Sequence, residues 1–124
     1  MVNGCKVLCV DDEKIICDLL AEFLSLAGYT PIKAYSGNSA VEILKREQVH
    51  MIITDLLMND GNGKVVVDYV LSKNPSARPH IIVMSGLSES SLLAEIKAQG
   101  ISDTLVKPVK LPNILNLMKK FQVR

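Results

Sequence analysis

Short apolar runs and longer amphipathic stretches alternate along this chain from end to end. Lys6 to Val10 is apolar, partly β-branched and bounded by Gly4 and Asp11-Asp12, which predicts a buried strand. From Glu13 to Ala27, Ile15, Ile16, Leu19, Leu20, Phe23, Leu24 and Ala27 recur at helical spacing, and Gly28 follows as a stop. Asp12 stands where a helix cap would. Thr30 to Tyr35 predicts a second strand, at a sheet edge because Pro31 cannot donate to a ladder. Ser36 predicts the cap of a helix whose apolar side is Ala40, Val41, Ile43 and Leu44. His50 to Thr54 is nearly all apolar, as in a strand covered on both faces. Asp60-Gly61-Asn62-Gly63 reads as a loop, and Val65 to Leu71 as a helix despite its valines. Ile81 to Met84, with Ser85-Gly86 after it, predicts the fourth strand. The helix 88–99, the short strand Thr104 to Val106 and the helix Leu111 to Phe121 complete the series.

This alternation predicts an α/β fold, (βα)5, with a parallel five-stranded sheet wound on both faces by right-handed crossovers. No linker or low-complexity tract interrupts it, so residues 1–124 are expected to form one domain. At 124 residues and 48% hydrophobic, such a domain has enough apolar surface for a core.

Charge narrows the function classes. Fourteen basic residues stand against 13 acidic ones, leaving no field that would draw nucleic acid or a membrane. Lys119-Lys120 with Arg124 is the one basic cluster, read as a solvated helix end. Three Tyr and two Phe make a poor stacking surface for single strands. Cys5, Cys9 and Cys17 form no CxxC pair, and two His provide no zinc spacing; Cys9 is expected to act as a small core residue. Met58 and Met84 are expected in the core, and His50 and His80 have no ligand partner at a useful spacing. The first residues lack the basic and apolar regions of a signal peptide, no run reaches transmembrane length, and a reducing cytoplasm is expected.

The candidate chemistry lies at strand ends. Asp11 and Asp12 follow the first strand, Asp55 the third, Ser85 the fourth and Lys107 the fifth. Open α/β sheets bind ligands beyond these carboxyl ends, at the topological switch point. Singly, each residue is ordinary turn or cap chemistry. Together, three carboxylates repel one another and need a cation. Mg2+ suits them, because it takes oxygen ligands and keeps waters and phosphate in its shell. A backbone carbonyl just past Asp55 would add a ligand. Asp55 could then act as a nucleophile toward phosphorus, with Lys107 as a point charge and Ser85 as a hydroxyl donor.

Over nearly the whole chain these residues resemble a receiver domain, the phosphoacceptor module of bacterial response regulators. The resemblance rests on Val7-Leu8-Cys9-Val10-Asp11-Asp12-Glu13, Leu26-Ala27-Gly28-Tyr29, Ala34 to Ala40 and Ile52-Ile53-Thr54-Asp55-Leu56-Leu57-Met58. Asn62-Gly63, Pro79 to Gly86 and Leu105-Val106-Lys107-Pro108 complete it. It implies the flavodoxin-like strand order 2-1-3-4-5. It also implies Asp55 as the phosphorylated residue, and Asp12 and Asp11 as Mg2+ carboxylates, Asp11 often through water. The Leu57 backbone carbonyl would be the third protein ligand, Ser85 the switch hydroxyl, Lys107 the phosphoryl-contacting lysine, and Lys107-Pro108 a cis bond at Pro108.

Three departures from the family pattern involve four positions. Asn59 replaces a common proline, implying a less rigid loop beside Asp55. Thr104 replaces the usual Tyr or Phe of the switch pair. Leu57 and Leu87 lie two residues beyond Asp55 and Ser85 and carry no group to orient a water, implying slow self-dephosphorylation.

The resemblance implies phosphoryl transfer from a sensor histidine kinase to Asp55, which biases the face of the fourth helix, fifth strand and fifth helix. That face is expected to meet a downstream protein or domain, or a second copy in a homodimer. Two alternatives stand beside it. One is a pseudo-receiver, an interaction module that is never phosphorylated. The other is an aspartate-nucleophile phosphatase of the haloacid dehalogenase type, disfavoured because its acidic pair normally comes last. As a receiver the chain is not a turnover enzyme.

Overall fold

The computed structural model describes residues 4–86 and 90–120. Five parallel strands, β1 (Lys6–Val10), β2 (Thr30–Ala34), β3 (Met51–Asp55), β4 (His80–Ser85) and β5 (Thr104–Val106), form one sheet in the order β2-β1-β3-β4-β5. Five helices connect them or follow: α1 (Lys14–Leu26), α2 (Gly37–Arg46), α3 (Gly63–Leu71), α4 (Ser90–Ala98) and α5 (Leu111–Lys119). The doubly wound fold and its strand order agree with the sequence, and β2 with Pro31 lies at an edge.

Successive strand residues point to opposite faces, so the apolar strands feed two cores. Val7, Cys9, Ile53 and Ile82 pack under α1 and α5 with Leu20, Leu24, Ile114 and Met118. Leu8, Val10, Ile52 and Val83 pack on the other face with Ala40, Val66, Val67, Val70 and Ile96 from α2, α3 and α4. Cys9 and Met84 are buried as expected, and Met58 packs half-buried against the second core.

Several expectations need correction. Helix α1 buries Cys17, Leu20, Ala21 and Leu24, while Ile15, Ile16 and Leu19 are exposed. A single i, i+3, i+4, i+7 stripe satisfies the sheet, and the apolar residues outside it were read as part of the same face. Asp12 does not cap α1. Glu13 holds that position without a side-chain bond, and its amide instead donates to Asp11 Oδ1 at 3.0 Å.

Helix α3 starts at Gly63, two residues earlier than the loop reading allowed. Gly61 makes the turn with φ +76°, and Asn62 caps the helix by accepting from the Lys64 amide at 3.0 Å. β2 ends at Ala34, and β4 runs one residue further at each end. Helix α4 runs Ser90–Ala98 and α5 ends at Lys119; positions 87–89 and Phe121 lie outside the described residues. Lys120, read as solvated, pairs with Asp103 at 3.1 Å.

Candidate functional site

The carboxyl ends of β1, β3, β4 and β5 meet at one edge of the sheet, and main-chain bonds carry the pairing one residue past the strands. The Asp11 amide donates to Ala34 O at 3.1 Å, Leu56 to Met84 O at 2.9 Å, and Lys107 to Ser85 O at 2.8 Å. These bonds fix the backbone of each candidate residue before any side chain is placed. Asp55 pairs with Met84 in register, so Ser85 lies one step beyond it, and Lys107 follows the Ser85–Val106 pair.

Asp11, Asp12 and Asp55 come together, each offering a carboxylate oxygen within 4.8 Å of the others. Asp11 and Asp55 are buried, whereas Asp12 is partly open. Lys107 Nζ lies 2.6 Å from Asp55 Oδ1, the side on which the Leu56 amide also donates, at 3.0 Å. Burial pushes the Asp55 carboxyl above its ordinary range, against the pull of the Lys107 ammonium and with a further push from Asp11. Burial likewise raises Asp11, opposed by the Glu13 amide and Lys107. The Lys107-Pro108 bond is cis.

Among the described residues, two buried polar atoms, Asp11 Oδ2 and Ser85 Oγ, have no hydrogen-bond partner. Burying such atoms unpaired costs about 1–3 kcal/mol each. Three carboxylates against the Lys107 ammonium leave an excess of negative charge, and the donor set is all oxygen. A hard divalent cation fits both facts.

The remaining candidates are placed less tellingly. Leu57 lies in the β3–α3 loop and is 55% exposed. Thr104 opens β5, half-buried and paired with Val83. Leu87 lies outside the described residues. Beside the cluster, Ile16, Leu19, Met84, Val109, Leu111 and Ile114 line an apolar cleft of about 560 Å3 that reaches Asp11 and Lys107.

Sequence reasoning reached the β3–α3 loop through Leu57 and Asn59 but missed its bond to Asp12. The Asn59 amide donates to Asp12 Oδ2 at 3.2 Å, a bond that a proline could not make. On its far side the loop accepts from α2: Gly37 N to Gly61 O at 2.7 Å and Asn38 N to Asp60 O at 3.2 Å. The loop's backbone amide and carbonyls thus tie it to Asp12 and to α2, through bonds that side-chain identities do not announce.

The family model described as the response regulator receiver domain matches residues 7–119. The chain belongs to this family. Among curated relatives, this receiver domain is 32% identical over 118 residues to the uncharacterized transcriptional regulatory protein YesN of Bacillus subtilis, covering 93% of this chain and 32% of that protein. It is 30% identical over 105 residues to a cyclic di-GMP phosphodiesterase of Thermotoga maritima, covering 85% of this chain and 27% of that one. The chain therefore spans about a third or less of the length of these relatives. The crystal structure of a response regulator receiver protein from Pseudomonas putida superposes with a TM-score of 0.83 at 28% identity, over 93% of this chain and 95% of that one. Receiver domains are signalling modules of two-component systems. Among the described residues, no helix is long and apolar enough to cross a membrane.

Proposed function

We propose that this receiver domain accepts a phosphoryl group on Asp55 in a Mg2+-dependent step, and that the modification resets a protein-interaction face. The observation that carries this reading is the pair of orphaned atoms, Asp11 Oδ2 and Ser85 Oγ, at the ends of the two strands that flank the Asp55 strand. A cation beside Asp11 and a phosphoryl oxygen beside Ser85 would relieve both. Asp11, Asp12, Asp55 and the Leu57 carbonyl are the proposed Mg2+ ligands. Bound there, Mg2+ supplies the positive charge that offsets the carboxylates and the incoming phosphoryl oxygens.

The chain's own residues do the rest. An Asp55 carboxylate oxygen attacks phosphorus while the bond from phosphorus to the donor's imidazole nitrogen, or to the oxygen of a small acyl phosphate, breaks. The Lys107 ammonium, paired with the Asp55 carboxylate beforehand, keeps its charge and pairs with a phosphoryl oxygen afterwards. Ser85 turns its hydroxyl toward one phosphoryl oxygen, and the added charge biases α4, β5 and α5 between two arrangements. The donor is a sensor histidine kinase, and the face meets an output protein, an output domain or a second copy. The relatives' names span a transcriptional regulatory protein and a phosphodiesterase, so a receiver of this kind serves unlike outputs. We propose that residues 1–124 act as one receiver domain in the cytoplasm.

Leu57 presents an apolar side chain where a water would be oriented, so the phosphoryl group should be long-lived. Leu57→Asn should shorten its lifetime; an unchanged lifetime would remove this explanation.

Titration with beryllofluoride and Mg2+, followed by NMR, tests the reading. Saturable shifts at the Asp55, Ser85 and Lys107 amides, absent in Asp55→Asn, are expected. No binding would favour an interaction module that is never phosphorylated.

A further inference from the structure

We propose that the main-chain N–H of Asn59 is a positioning group for the cation, holding Asp12 and the β3–α3 loop in the arrangement that the metal needs. The inference rests on the cation site proposed above. Asn59 donates to Asp12 Oδ2 at 3.2 Å, joining residues 47 apart in sequence. A carboxylate has more acceptor sites than one hydrogen bond uses, so Asp12 keeps an oxygen for the cluster. Ligating carboxylates work best when a second partner fixes their orientation, and losing such a partner typically costs 10–100-fold in metal affinity.

The same bond also sets the loop. Its base is closed by Gly63 N donating to Leu56 O at 2.7 Å, and its outer side is held by the Gly37 and Asn38 amides. The Asn38 side chain adds a bond to Asp60 Oδ1 at 2.8 Å. These anchors bond groups other than the three clustered carboxylates, and the Asn59 amide supplies the tie to one of them. Leu57, whose carbonyl is a proposed ligand, lies two residues before Asn59 in this loop. One donor thus orders a carboxylate and the segment that carries the carbonyl.

Asn59→Pro removes the donor, whereas Asn59→Ala keeps it and removes only the side chain. Calorimetric titration of the metal-free chain with Mg2+ should find Asn59→Ala within twofold of wild type and Asn59→Pro weaker by on the order of tenfold. Hydrogen exchange keeps the test independent of how the proline variant folds. The wild-type Asn59 amide should be protected, more so with Mg2+, and should lose its protection in Asp12→Ala. Equal affinities in all three chains, a loss shared by Asn59→Ala, or an unprotected Asn59 amide would overturn this inference alone. A wild type that binds no Mg2+ would overturn the site reading and this inference together.

Discussion

Ser85 buries a hydroxyl that has no hydrogen-bond partner among the described residues, at a position where alanine would fit the same space. Such a residue costs stability unless a ligand uses it. Ser85→Ala should therefore raise the unfolding free energy of the metal-free chain by about 1 kcal/mol while weakening the beryllofluoride response. Urea unfolding checks the first half, and destabilisation would mean that the hydroxyl has a structural role. The buried cysteines behave in the opposite way, since their thiols find carbonyl partners, Cys17 Sγ donating to Cys9 O at 3.4 Å. Burial raises the Cys9 thiol to about 12 and Cys17 to about 11, and both are fully buried. A thiol reagent at neutral pH should modify Cys5 in the native protein and the other two only on unfolding. At this scale the sequence speaks through side chains. Asp11, Asp12, Asp55, Ser85 and Lys107 were legible because charge or a hydroxyl at the end of an apolar strand needs a reason. The Asn59 amide was not, because every residue but proline carries one.

Elements meet at this site through close backbone approaches. A Cβ at Gly37 would overlap the Gly61 and Asn62 carbonyl oxygens, and one at Gly63 would lie 2.7 Å from Asp55 O. Gly37→Ala and Gly63→Ala should each cost about 1–3 kcal/mol by overpacking, read as a lower urea midpoint. An unchanged midpoint would mean that the loop yields freely. Gly63 explains why the start of α3 was misread: a glycine demanded by close approach looks like a glycine in a loop. Ile15, Ile16 and Leu19 misled for another reason, since periodicity tells which residues share a helix face but not how wide a stripe the sheet can cover. His80, Asp103 and Lys120 tie the start of β4, the segment before β5 and the end of α5, through bonds of 2.9 and 3.1 Å. Burial holds the His80 imidazole below its ordinary 6.5, with Lys120 acting in the same direction and Asp103 against it. The unfolded chain then takes up a proton more readily than the folded one, so His80's contribution to stability is present above pH 6.5 and is lost as pH falls below it. The urea midpoint of wild type should drop more between about pH 7.5 and 5.5 than that of His80→Gln. Equal drops would contradict the burial argument. The raised Asp11 and Asp55 act in the opposite direction in both proteins, which is why the comparison is needed.

The whole molecule is one sheet with a core on each side, and its reactive edge lies where the strand order turns at β1 and β3. Alternating strand and helix patterns made this fold legible, because parallel strands need crossovers and crossovers here are helices. The register that brings Asp11 to Asp55 was not legible; it depends on pairing between distant segments, which no local pattern encodes. If the edge holds a cation, binding must stabilise the fold as a whole: Mg2+ at a hundred times its dissociation constant should add about 2.7 kcal/mol, and less in Asp12→Asn. The central claim concerns the atom that takes the phosphoryl group. Intact mass after incubation with acetyl phosphate and Mg2+ tests it most directly. The account predicts a gain of one phosphoryl group in the wild type and none in Asp55→Asn; a wild type that gains nothing, or an Asp55→Asn that gains the same, would contradict it.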